Sequence, residues 1–136
     1  MTAEDTVRDY YARMGAGDTK GAFALFAPDV RYRLMGTTPI SGESVGVSEF
    51  LAKIIRPFVG RLEGGQIEVI PDTFIASGSH VVVLAHSRAT SVTGAAYNNE
   101  YAMVFTVQDG LIASVREYLD TALVETAVFG REIRDA

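Results

Sequence analysis

Four long β-rich segments follow one another almost without pause in the second half of the chain, over 66–76, 80–90, 97–108 and 111–119. No other feature constrains the fold as much. Ser77-Gly78-Ser79, Thr93-Gly94 and Asp109-Gly110 separate them. Asp-Gly between two alternating apolar runs is a two-residue hairpin signal, so the last two segments pair antiparallel. Strands this long, with few helices to cover them, must curl to bury one face.

The first half supplies the cover. Thr2 followed by Asp5 forms a capping-box variant, and Val7, Tyr10, Tyr11 and Met14 recur at helical spacing, which predicts a helix over 2–14. Gly15 and Gly17 stop it. Asp18 caps a second short helix carrying Phe23, Leu25 and Phe26, with Pro28 as its end. Residues 30–35 form a short strand candidate, and Gly36, Pro39 and Gly42 mark a loop. Val47, Phe50, Leu51, Ile54, Ile55 and Phe58 then make one apolar helical stripe, whose last turn Pro57 should fray or kink. A closing helix is expected over 121–129. Helices gathered on one side of a curled antiparallel sheet give the α+β layout, with a cone-shaped pocket between the layers. The 136 residues suit one domain over 1–136, with no repeat or linker to divide it.

Charge and composition narrow the function. With 12 basic against 17 acidic residues and a formal charge of −5, the chain lacks the footprint of a nucleic-acid binder. No apolar stretch is long enough for a membrane span. The acidic start, Met1-Thr2-Ala3-Glu4-Asp5, is unlike a signal peptide. There is no cysteine, which removes thiolate chemistry and fits a cytoplasmic location. His80 and His86 stand six residues apart on one strand, roughly 20 Å, too far to share a metal ion. No metal or cofactor is expected.

The residues also carry a family resemblance. Val7-Arg-Asp-Tyr10-Tyr-Ala, Gly15-Ala-Gly-Asp18 and Ala24-Leu-Phe-Ala27-Pro-Asp29 resemble the opening of ketosteroid isomerase and nuclear transport factor 2-like proteins, as does Ser41-Gly42-Glu43. Tyr97-Asn-Asn-Glu100-Tyr, Val104-Phe-Thr-Val-Gln-Asp-Gly110 and Arg116-Glu-Tyr-Leu-Asp120 resemble the SnoaL-like branch, which includes polyketide cyclases. The resemblance implies a cystatin-like cone: a curved sheet wrapped on N-terminal helices. It places an oxyanion-donor tyrosine at Tyr10. The ketosteroid isomerase base falls on Leu34 and its second oxyanion donor on Met103, so that arrangement is broken. In limonene epoxide hydrolases the closing aspartate falls on Asp120, but the rest of the triad falls on Leu34 and near His86 and Arg88. SnoaL-like cyclases keep an aspartate at Asp120 and a histidine at the column of Met103.

Several assignments follow for these positions. Asp120 is either a pocket carboxylate or the cap of the last helix. His86, in a run read as buried on both faces, is either a satisfied core histidine or a substitute for the missing family histidine that meets Asp120. Tyr10 is either a pocket donor or part of its helix's buried stripe. If Asp120 points inward, so do Tyr118 and Arg116; if Met103 lines the pocket, so do Tyr101 and Phe105. Arg88 and Arg116 would bind an acidic group or pair with a nearby carboxylate, and Tyr32 would shape the wall. The leading expectation is isomerase- or cyclase-type proton transfer on a small hydrophobic carbonyl compound, with Asp120, His86 and Tyr10 as catalytic residues. Tyr32, Leu34, Arg88, Tyr101, Met103, Phe105, Arg116 and Tyr118 would contact the substrate. The alternative is a non-catalytic ligand-binding or dimerising module. Ala102 and Val104 on the sheet's outer face suggest a homodimer.

Overall fold

A computed structural model describes residues 1–135. Helix α1 (Ala3–Gly15) begins at the expected capping box: the Thr2 hydroxyl accepts from the Asp5 N–H, and the Asp5 carboxylate accepts from the Thr2 N–H. Helix α2 (Thr19–Phe23) is shorter than the sequence suggested, and Phe26 already belongs to strand β1 (Phe26–Leu34). A short strand β2 (Gly42–Val45) occupies what read as loop, held by pairing with β1.

The predicted amphipathic helix over 47–58 is present in three parts. Helix α3 (Val47–Phe50) passes into a π turn (Leu51–Ile55) and then into α4 (Arg56–Val59). Pro57 has no N–H to offer the carbonyl one turn back, and the helix widens just before it rather than fraying. The apolar stripe survives: Phe50 and Ile54 are buried, with Val47, Leu51, Ile55 and Phe58 packed around them.

Strands β3 (Glu68–Ser77), β4 (His80–Arg88), β5 (Glu100–Gln108) and β6 (Leu111–Leu119) complete a six-stranded sheet ordered β2-β1-β6-β5-β4-β3. All neighbours are antiparallel except β1 and β6, which run parallel. Residues 97–99 stay outside β5. The β5–β6 hairpin turns on Asp109 and Gly110, with φ of 52° and 75°, the paired left-handed conformation of a type I′ turn. Helix α5 (Thr121–Leu123), capped by Asp120, continues as a π turn (Val124–Val128). The concave face of the sheet closes on α1 and the α3–α4 segment, giving the α+β cone.

Strand β4 departs from the reading of a strand buried on both faces. Val81, Val83, Ala85 and Ser87 point into the core, while Leu84 is 41% exposed on the opposite face. The outer face of the sheet is solvent-facing, and its apolar residues Ile75, Leu84 and Tyr118 are open.

Candidate functional site

Between the helices and the concave face lies a cavity of about 330 Å³. Its wall is largely apolar. Each wall comes from one element. Tyr10 and Tyr11 reach in from α1, Tyr32 and Leu34 from β1, and Phe50, Ile54, Ile55 and Phe58 from the α3–α4 segment. Tyr101 and Met103 come from β5, Glu117 and Leu119 from β6, and Tyr97 from the segment before β5. Among the described residues, no lysine, arginine or histidine lines it.

Glu117 is the group that sequence reasoning missed. Register explains why. A two-residue hairpin pairing Gln108 with Leu111 would, if unbroken, set Met103 opposite Arg116 and Tyr101 opposite Tyr118. Instead the pairing shifts between Thr106 and Val107, leaving Ala113 as an extra residue on β6. Beyond this bulge Met103 faces Glu117, Phe105 faces Val115 and Tyr101 faces Leu119. One extra residue exchanges the two faces of a strand. Arg116 and Tyr118 therefore lie on the exposed outer face, correcting the expectation that they line the pocket. The available signal was that Glu117 shares its parity with the apolar Val115 and Leu119.

The Glu117 side chain is buried, and one carboxylate oxygen accepts the Tyr32 hydroxyl. Tyr32 is itself fixed by stacking on Phe50, with ring centroids 4.3 Å apart. Burial pushes the Glu117 carboxyl from 4.5 up to about 7, and the Tyr32 hydrogen bond works against that rise. Burial, reinforced by the Glu117 charge, holds the Tyr10 and Tyr32 phenols above their ordinary range, so both remain protonated donors. The Tyr10 ring stacks on Phe26 at 5.4 Å. Its hydroxyl has no hydrogen-bond acceptor among the described residues. The arrangement is a buried carboxyl, Glu117, beside phenol donors in a largely apolar cavity. It can move a proton near neutral pH.

The other sequence-named residues fall into three places. Tyr10, Tyr32, Leu34, Tyr101 and Met103 line the cavity, with Phe105 packed behind them against Tyr10 and Tyr11. Asp120 follows directly on β6 and accepts from the Leu123 N–H at 3.1 Å, as the cap of α5. His86 lies on the outer face, its Nδ1 2.8 Å from an Asp72 carboxylate oxygen. Its cross-strand partner is Glu100, while its neighbours Ala85 and Ser87 take the inward positions. Asp120, His86 and Arg88 do share a surroundings, but it is a separate polar cleft at the end of the sheet, with Ser87, Asn98, Asn99 and Glu100. The structure does not bring Asp120 or His86 into the cavity beside Tyr10.

Among the described residues no helix is long and apolar enough to cross a membrane, and no three His, Asp or Glu side chains converge as a metal site. Solved structures share the fold. A nuclear transport factor 2-like protein of unknown function from Burkholderia pseudomallei is 28% identical, with a TM-score of 0.82 over 94% of this chain and 98% of its own. A protein proposed to be a SnoaL-like polyketide cyclase, from Jannaschia, is 20% identical with a TM-score of 0.73, over 96% of this chain and 93% of its own. A protein proposed to be an isomerase, from Bacillus subtilis, is likewise 20% identical with a TM-score of 0.73, over 96% and 94%. No curated protein matches the sequence. The SnoaL-like domain pattern matches residues 7–115, most of the chain, and the protein belongs to the SnoaL-like domain family.

Proposed function

We propose that this protein catalyses cofactor-free proton transfer on a small, uncharged, hydrophobic carbonyl compound held in the cone. The observation that carries the reading is Glu117: a buried carboxyl raised to about 7, tethered to Tyr32 through one oxygen and leaving the other for a ligand. A general base works best when its pKa lies near the operating pH. The ionised carboxylate takes a proton from the carbon beside the carbonyl. The C–H electron pair moves into the enolate, and charge gathers on the oxygen. Tyr10, with a hydroxyl hydrogen that no described protein group accepts, donates to that oxygen. The proton then returns from Glu117 to the same carbon or a conjugated one, restoring the carboxylate. Nothing is consumed, so no cofactor is required. The absence of a cation from the cavity wall favours a neutral substrate over a carboxylate or phosphate. The likenesses to proteins proposed as a cyclase and an isomerase are compatible with this class of chemistry.

Incubation of 1-tetralone with the protein in heavy water tests the proposal. Deuterium enters beside the carbonyl faster than in buffer alone, and the acceleration is lost in Glu117→Gln while binding is kept. Acceleration that survives Glu117→Gln and disappears in Asp120→Asn returns the role to Asp120. Binding without exchange in the parent protein favours the non-catalytic module. The open apolar residues of the outer sheet face, Ile75, Leu84 and Tyr118, support a second proposal, that a copy of the chain docks there. Light scattering on Leu84→Glu reads it, with a shift from dimer to monomer expected.

A further inference from the structure

A second polar feature of the cavity stands away from the Glu117–Tyr32 pair. Tyr97, Tyr101, Ser87 and Asn99 are all buried and joined by hydrogen bonds. The Asn99 side-chain amide donates to the Tyr97 hydroxyl at 2.9 Å, and the Asn99 backbone N–H donates to the Ser87 hydroxyl at 3.1 Å. The Tyr101 hydroxyl lies 3.0 Å from that of Ser87 and 3.5 Å from that of Tyr97. Asn99 cannot turn its amide round to accept instead. Its carbonyl oxygen already receives the backbone N–H groups of Glu100 and Asp120, at 2.7 and 3.2 Å, and its amide also serves the Asp120 carbonyl.

Counting hydrogens gives the consequence. Three hydroxyls carry three hydrogens but share only two contacts, and two further N–H donors feed into the chain from Asn99. Whichever way the hydroxyls rotate, one hydrogen has no acceptor within the network. In the short contact Tyr101 donates to Ser87, which leaves the Tyr97 hydrogen only the long contact to the Tyr101 oxygen. The Tyr97–Tyr101 contact is longer than an ordinary hydroxyl hydrogen bond, so it holds its hydrogen weakly. Tyr97 and Tyr101 both line the cavity. A buried donor left without an acceptor is costly, and a ligand oxygen relieves it.

We infer that Tyr97, oriented by Asn99 and backed by Tyr101 and Ser87, forms an oxygen-binding subsite that donates a hydrogen bond to a neutral ligand's carbonyl or ether oxygen, separate from the donor at Tyr10. The surplus of donors selects an acceptor and rejects a ligand group that can only donate. Asn99 and Ser87 act as positioning residues. This inference rests, as the proton-transfer reading does, on the cavity being the ligand site, but it concerns binding and survives if no exchange is catalysed.

The experiment uses two probes of nearly the same shape: 1-tetralone, which carries a carbonyl, and tetralin, which does not. The Tyr10→Phe protein, assayed at pH 9 so that Glu117 is ionised and cannot donate, removes the other donors. In it, 1-tetralone is expected to bind about tenfold more tightly than tetralin. Its infrared carbonyl stretch stays below that of the ketone in hexane. In Tyr10→Phe/Tyr97→Phe the affinity ratio falls towards one and the stretch moves up, while tetralin affinity is kept. An unshifted carbonyl in Tyr10→Phe overturns the inference, and so does a ratio that persists in the double variant. Should the double variant fail to fold, the carbonyl stretch in Tyr10→Phe alone decides. Heavy-water exchange from the same ketone reads the Glu117 proposal separately.

Discussion

Removing the buried carboxyl with Glu117→Gln should change how stability depends on pH, and the size of the change follows from the structure. In the unfolded chain this carboxyl titrates near its ordinary 4.5, and in the folded protein burial raises it to about 7. The folded state thus holds the proton more tightly. Below about pH 4.5 the group is protonated in both states and folding carries no charge-burial penalty. As pH rises, the unfolded chain ionises first, and stability falls until the folded carboxyl also ionises near 7. Above that the penalty is complete and constant. Between pH 4.5 and 8 the loss from this one group is about 3 kcal/mol. A glutamine keeps the shape and still accepts from Tyr32, but it has no proton to lose. Urea denaturation of both proteins at a series of pH values, at one protein concentration, measures the effect. The stability of wild type minus that of Glu117→Gln should decline by about 3 kcal/mol across the window, or roughly 10 °C in melting temperature for a domain of this size. Parallel curves for the two proteins would mean that the carboxyl is not held neutral by burial, and the argument for Glu117 as a base poised near pH 7 would fail with it.

Other perturbations read neighbouring parts of the argument. Tyr32→Phe removes the hydrogen bond that opposes the rise, so the midpoint of the Glu117 transition should move to higher pH in the same urea series. Asp120→Ala should cost about 1 kcal/mol through loss of the α5 cap, whereas Asp120→Asn, which can still cap, should stay within a few tenths by the same assay. Gly36 has φ of 96°, and a methyl group there would sit 2.6 Å from the Thr121 Cγ2. Gly36→Ala should therefore destabilise by about 1 kcal/mol or more in thermal melts, and loosen the junction where α5 leaves the sheet.

Local chemistry was legible wherever neighbours in sequence decide the outcome. Thr2 and Asp5 cap α1 because the two groups lie within one turn of each other. Asp109 and Gly110 close the β5–β6 hairpin because both can adopt positive φ. The apolar stripe from Val47 to Phe58 had to face a core, and the spacing alone said so. Alternation likewise placed Tyr101, Met103 and Phe105 on one face of β5. Whatever depended on distant partners was not legible. Strand β2 exists because β1 pairs with it, and the parallel β1–β6 contact joins segments some eighty residues apart. Alternation also says which residues share a face without saying which face is inside. That choice fell to tertiary packing. The bulge at Ala113 turned Glu117 inward and Arg116 and Tyr118 outward, and the curl of the sheet left His86 outside with Asp72. The sequence by itself determined the α+β cone and an apolar interior, because periodicity and turn chemistry act over a few residues. Only the tertiary structure decided which carboxylate the cavity holds, because one extra residue in a strand reverses every side chain beyond it.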